Sequence, residues 1–205
     1  MDTIFEWLKD RNIAYSDKTL ITQALVHSSY VNEHKSYAHD NERLEFMGDA
    51  VLQLWTTKKL FLLEPELSEG QMTTLRAQLV CEEALAEYNR QLGLGKYLML
   101  GVGEEKTGGR QRDSILADMF EALLGAVFLD QGMAAIDIIL SAVVTPAISR
   151  PKSEKVIDYK TKQMCIRDSS YAERQRRKIK AANMARSHAE KERRKRAVLE
   201  NEAQR

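Results

Sequence analysis

The chain has 205 residues, 43% of them hydrophobic and 30% charged, with three Pro and two Cys. This length suits one domain plus an extension better than two full domains, and the apolar share suffices for a sizeable core. Cys81 and Cys165 sit in no CxxC pair and beside no His cluster, which argues against a zinc site or a disulfide framework and fits a reducing cytoplasm. The start, MDTIFEWLKDR, has neither the basic region nor the apolar core of a signal peptide. No apolar run approaches the ~20 residues that span a bilayer. The expectation is a cytoplasmic protein with no membrane partner.

A net charge of +1 hides an asymmetry. From Tyr171 onward there are twelve Lys/Arg against five Asp/Glu, a net of +7, which leaves the rest at −6. An acidic body suits a phosphate binder only if some of its carboxylates hold divalent cations.

Ile4, Phe5, Leu8 and Ile13 suggest a short amphipathic helix that ends near Asn12. Asp17 can cap a second helix through Leu20, Ile21, Ala24 and Leu25, running into His27-Ser28-Ser29-Tyr30. The polar stretch 32–40 reads as a loop. From Asn41 to about Leu63 the pattern is helical and apolar over much of its circumference, as for a central buried helix. Ser68 and Gln71 form a capping-box pattern before the next helix, which bends or breaks near Cys81 and continues through Leu85 and Tyr88. Gly101-Val102-Gly103 and Gly108-Gly109 bracket what reads as a flexible loop carrying Glu104, Glu105 and Lys106. Residues 112–130 are helical and strongly apolar, and a last helix covers about 133–148. No strand alternation and no repeat is visible, so the fold class is all-α. Residues 1–150 form the domain, 151–163 a linker with the truncated start of another domain, and 164–205 a basic helical or disordered tail.

Two segments carry chemistry: NERLEFMGDAVL from Asn41, and DSILADMFEALLGAVFLD from Asp113. Glu42, Glu45 and Asp49 fall at i, i+3 and i+7, on one helix face; Asp118 and Glu121 fall at i and i+3. Carboxylates gathered on apolar helices repel one another unless a cation joins them. Ligands that are all oxygen, with no His or Cys, suit Mg²⁺ or Mn²⁺. Such carboxylate spacings are also common on solvated helix faces, and spacing alone leaves both readings open.

The two acidic segments, with HSSY upstream, the EGQMTTLRAQLV block and the GVGEEKTGG loop in order between them, resemble the ribonuclease III family over about residues 8–162. The resemblance implies the all-α endonuclease-domain fold and a homodimer. It implies an endoribonuclease of RNA processing that cuts double-stranded RNA by a two-metal mechanism, leaving 5′-phosphate and 3′-hydroxyl ends. Glu45, Asp49, Asp118 and Glu121 would hold Mg²⁺ (or Mn²⁺ as substitute), with Asp49 and Glu121 the most critical catalytically. Glu42 and Glu69 would be further carboxylates lining the cleft. Phe46 would reach into the partner subunit, its alternative being ordinary core packing. No small-molecule cofactor is implied. His27 is expected to make a structural hydrogen bond, and Ser28 and Ser114 lack a base that would make them nucleophiles. Arg76, Lys106 and Arg110 are either phosphate contacts or solvated charges. The alternative function is a non-catalytic double-stranded-RNA-binding relative; the presence of all four carboxylates argues against it.

The resemblance stops after Asp158-Tyr159-Lys160-Thr161-Lys162, which looks like the start of an RNA-binding domain. Met164-Cys165-Ile166-Arg167-Asp168-Ser169 is what the end of a common sequencing-library transposon adaptor encodes, so 164–169 reads as a junction and the basic tail as foreign. Amplification of the gene from its source DNA is expected to give a different sequence beyond codon 163; an uninterrupted natural product through codon 164 would refute the junction.

Overall fold

Helix α1, Ile4–Lys9, starts from a reciprocal cap: the Thr3 hydroxyl accepts from the Glu6 amide, and the Glu6 carboxylate accepts from the Thr3 amide at 2.8 Å. Asn12, at φ 55°, then turns the chain out of it. This computed structural model describes residues 3–34 and 36–149. The linker and the basic tail expected beyond residue 150 lie outside the described residues.

The second expected helix is two. Helix α2, Lys18–Gln23, is capped by Asp17, and α3, Ser28–Glu33, starts anew with His27 as its N-cap. Tertiary pairing causes the break. Met99 donates its amide to the Leu25 carbonyl at 2.8 Å, and His27 donates to the Met99 carbonyl at 3.1 Å, around an isolated parallel bridge between Val26 and Met99. Backbone groups used in that bridge cannot serve a continuous helix. No other strand-like pairing occurs among the described residues.

Helix α4 spans Glu42–Phe61, α5 Glu69–Leu79 and α6 Glu82–Leu92; Ser68 caps α5 and Cys81 is the N-cap residue of α6. Helix α8 spans Asp113–Gln131 and α9 Met133–Ser149. From Ala122 to Phe128 α8 carries no polar residue, and Met119, Phe120, Ala122, Leu123, Leu124 and Ala126 are fully buried. A helix with no polar stripe is stable only when neighbours cover it on all sides. Here α4 and α6 supply the largest coverings, with α2 and α9 completing them. The Asn89 side-chain amide on α6 donates to the Leu116 carbonyl at 2.8 Å and ties α6 to α8 inside the core.

Two further expectations are corrected. The expected central burial of α4 holds for Leu44, Val51, Leu52, Trp55 and Leu60, but Phe46 and Phe61 are 71% exposed and Leu54 61%. The helix has two apolar faces, and this chain covers one. The expected flexible loop contains a short helix, α7, at Val102–Lys106, followed by a 3₁₀ turn at Gly109–Gln111. Its order has polar causes. The Glu33 carboxylate accepts from the Val102 amide at 2.8 Å, Ser29 Oγ accepts from Gly101, and Arg112 pairs with Glu104 at 2.6 Å. Arg110 donates to the Gly95 and Leu98 carbonyls, each at 2.8 Å, and to the Glu105 carboxylate. That carboxylate is held below its usual range by the guanidinium.

Among the described residues no helix is long and apolar enough to cross a membrane. Asp137 on α9 clamps α4, accepting from the buried Trp55 Nε1 at 2.8 Å and from Lys59 at 2.9 Å. Both contacts lower its pKa, the lysine more. Asp137→Ala orphans a buried N–H, so urea denaturation is expected to show a loss of about 1–2 kcal/mol. Because the native pKa is depressed, the clamp contributes fully above the ordinary value of 3.8 and fades as the pH falls through the native one. The gap between wild type and variant should therefore close in acid.

Candidate metal centre

Glu45 comes from the first turn of α4, and Asp118 and Glu121 from the second and third turns of α8. One carboxylate oxygen from each lies within 4.8 Å of the other two. All three residues are half-buried. Near a protein surface, two ionised carboxylates at such a distance repel by on the order of 3 kcal/mol. The donor set fits a hard divalent cation: two ligands at ~2.1 Å on opposite sides of Mg²⁺ are ~4.2 Å apart. Mn²⁺ fits the same all-oxygen set.

Asp49 lies one turn further along α4 than Glu45 and is not in this group of three. It is half-buried, and its Oδ1 accepts from the Gln53 side-chain amide at 3.2 Å. Glu42 opens α4, half-buried, and its amide donates to Asp40 at 3.1 Å. Glu69 opens α5, exposed, and accepts from the Thr73 hydroxyl at 2.9 Å. Phe46 is exposed, so it is not core in this chain.

Of the three cations considered for phosphate contact, Arg110 is committed to the two carbonyls and the carboxylate described above. Arg76 donates to the Thr57 hydroxyl at 3.0 Å. Lys106 is exposed on α7. The residues that reading the sequence missed are Gly48 and Gly125, both buried where α4 meets α8. A signal was available: glycine inside an otherwise strong helical pattern costs about 1 kcal/mol against alanine.

An all-α domain with carboxylates converging from two adjoining helices is what the fold and the site define. The family model described as Ribonuclease-III-like matches residues 17–147, and the chain belongs to that family. Proteins named Ribonuclease 3 from Bacillus cereus (strain G9842) and Bacillus anthracis (strain CDC 684 / NRRL 3495) are each 47% identical over 161 residues, 77% of this chain. The match spans 66% of those relatives' own length. Two solved structures of the nuclease domain of ribonuclease III from Campylobacter jejuni share the fold. One is 34% identical with a TM-score of 0.64, covering 74% of this chain and all of the other. The second is 35% identical with a TM-score of 0.63, covering 70% and 97%; its subject is flexibility in a region involved in dimer formation.

His27 stands at the edge of this region, facing Glu104, Asp40, Glu42 and Arg112. Its Nδ1 accepts from the Ser29 amide at 3.2 Å and lies 2.8 Å from Ser29 Oγ. Burial disfavours the imidazolium and lowers the pKa from 6.5, outweighing the nearby carboxylates. The unfolded chain thus takes up a proton first, so stability is complete above pH 6.5 and falls as the pH drops through the lowered native value. Thermal melts between pH 7.5 and 5 are expected to show this slope, and His27→Asn, a cap that does not titrate, to flatten it.

Proposed function

We propose that this chain carries the catalytic part of an endoribonuclease that hydrolyses phosphodiester bonds of double-stranded RNA, leaving 5′-phosphate and 3′-hydroxyl ends. The observation that carries the proposal is the convergence of Glu45, Asp118 and Glu121 from two helices onto one cation-sized space. The name Ribonuclease 3 borne by relatives at 47% identity supports the chemistry. The placement is bacterial cytoplasm, and the role is RNA processing.

Glu45, Asp118 and Glu121, joined by Asp49, would hold two Mg²⁺ ions or Mn²⁺ in their place. Bound there, such ions supply an activated water and stabilise the departing 3′ oxygen of an in-line displacement. The protein's own part is positioning. Helical backbones fix the four carboxylates, and Gln53 steadies Asp49 through its amide. Asp49 and Glu121 would matter most. Glu42 and Glu69 would line the flanks of the cleft. An A-form duplex would be read by its shape, its phosphates and its 2′-hydroxyls rather than by base edges.

The partner surface is the uncovered face of α4. Phe46, Ala50, Leu54, Thr57 and Phe61 recur every three or four residues and are all exposed, so they form one largely apolar stripe. A second copy of the chain would cover it, making a symmetric homodimer with one carboxylate site per subunit, each cutting one strand.

Glu121→Ala is expected to reduce cleavage of a long RNA duplex in Mg²⁺ by at least about a hundredfold, and EDTA to stop it in the wild type. Undiminished cleavage by the variant would sink the assignment. Phe46→Asp is expected to convert dimer to monomer by sedimentation. The monomer should keep wild-type helix content by circular dichroism, since exposed positions usually shift a chain's own stability by no more than about 0.5 kcal/mol.

A further inference from the structure

Helices α4 and α8 meet backbone to backbone beside the carboxylates. A Cβ on Gly48 would lie 1.7 Å from the carbonyl oxygen of Glu121, 2.4 Å from its carbonyl carbon and 3.0 Å from its Cα. A Cβ on Gly125 would lie 2.3 Å from the carbonyl oxygen of Leu44 and 3.0 Å from the Gly48 amide nitrogen. The obstacles are main-chain atoms, so no rotamer change relieves them. A methyl group at either place must push one helix off the other.

The residues touched are the ones that carry or adjoin the site. Gly48 rests on Glu121 itself. It sits three residues after Glu45 and immediately before Asp49. Gly125 rests on Leu44, the residue before Glu45, and lies one turn beyond Glu121 on α8. The carboxylates of Glu45 on one side and Asp118 and Glu121 on the other approach within 4.8 Å across this contact. An aspartate or glutamate side chain reaches only a few ångströms, so the separation of the helix backbones decides whether its oxygens meet.

We propose that Gly48 and Gly125 are positioning residues of the carboxylate site, setting the α4–α8 separation at which Glu45, Asp118 and Glu121 share one cation. The inference rests on the metal-binding reading above. Neither glycine touches the ion or the RNA; each acts through the backbone of a carboxylate or its neighbour. A role in stability alone would leave the metal affinity of the folded protein untouched, and the two roles separate on that measurement.

The test is Mn²⁺ binding to the full chain without RNA, followed by calorimetry and by the electron paramagnetic resonance of the bound ion, at a temperature where melting curves show each variant folded. Gly48→Ala is expected to weaken Mn²⁺ binding by about ten- to a hundredfold, as loss of an outer-shell support does, and to change the resonance of the ion that remains bound. Leu140→Ala, a truncation in the α9 core, is expected to lower the melting temperature and keep the wild-type affinity. If Gly48→Ala does not fold, Gly125→Ala takes its place. Wild-type affinity in a folded glycine variant would overturn the positioning role and leave the metal reading intact. Failure of both variants to fold would assign the pair to stability and overturn it equally. Failure of the wild type to bind Mn²⁺ would instead overturn the metal reading itself.

Discussion

The contact of α4 with α8 at Gly48 and Gly125 governs the rest of the molecule. Glycine inside a helix costs about 1 kcal/mol relative to alanine, and this chain accepts that cost in the two longest helices among the described residues. The return is an approach in which a Cβ would stand 1.7 Å from a carbonyl oxygen. Two helices so close cannot also be covered by each other along their whole lengths. The flanks of α8 are left to α2, α6 and α9, which bury the apolar residues that α4 does not reach. The acidic side chains stand at the margin of this contact, half in solvent, where a hydrated cation has access.

A set of polar side chains orders the connecting segments. Glu33 and Ser29 on α3 hold the start of α7, while Arg110 gathers two carbonyls and Glu105. His27 caps α3 and leans on Ser29, the same side chain that accepts from Gly101. The strip from α3 through α7 to the start of α8 is therefore one hydrogen-bonded unit. A planar guanidinium with several donors suits such a junction better than an ammonium would, which explains why Arg110 serves architecture here.

Helix α4 has three duties at once. One side is buried in the core through Leu44, Gly48, Val51, Leu52 and Trp55, with Leu44 and Gly48 against α8; the edge carries Glu45 and Asp49; the outer side bears Phe46, Leu54 and Phe61. Trp55 meets Asp137 on α9, fixing the middle of the helix against the far side of the core. The outer phenylalanines and the acidic edge are held by the same rigid rod, so whatever covers the former is fixed in relation to the latter.

Local chemistry made much of this legible in the sequence. Helical periodicity located α4, α8 and α9 to within one or two residues. The capping box at Ser68 and the break at Cys81 stand where short-range hydrogen bonding places them, and the i, i+3 spacing of Asp118 and Glu121 is a property of one helix. Other features depend on partners distant in sequence. The split of α2 from α3 follows from pairing with Met99, and the order of the Gly101–Gly109 segment from Glu33 and Arg112, none of which a local window contains. The two apolar faces of α4 look alike in one dimension; only packing shows that Phe46 and Phe61 are the uncovered ones. Which carboxylates share a helix face is set within one short segment, because rise and twist per residue are fixed by the backbone. Which of them come within 4.8 Å across two helices was decided by tertiary structure, because that distance depends on how closely Gly48 and Gly125 let the two backbones approach.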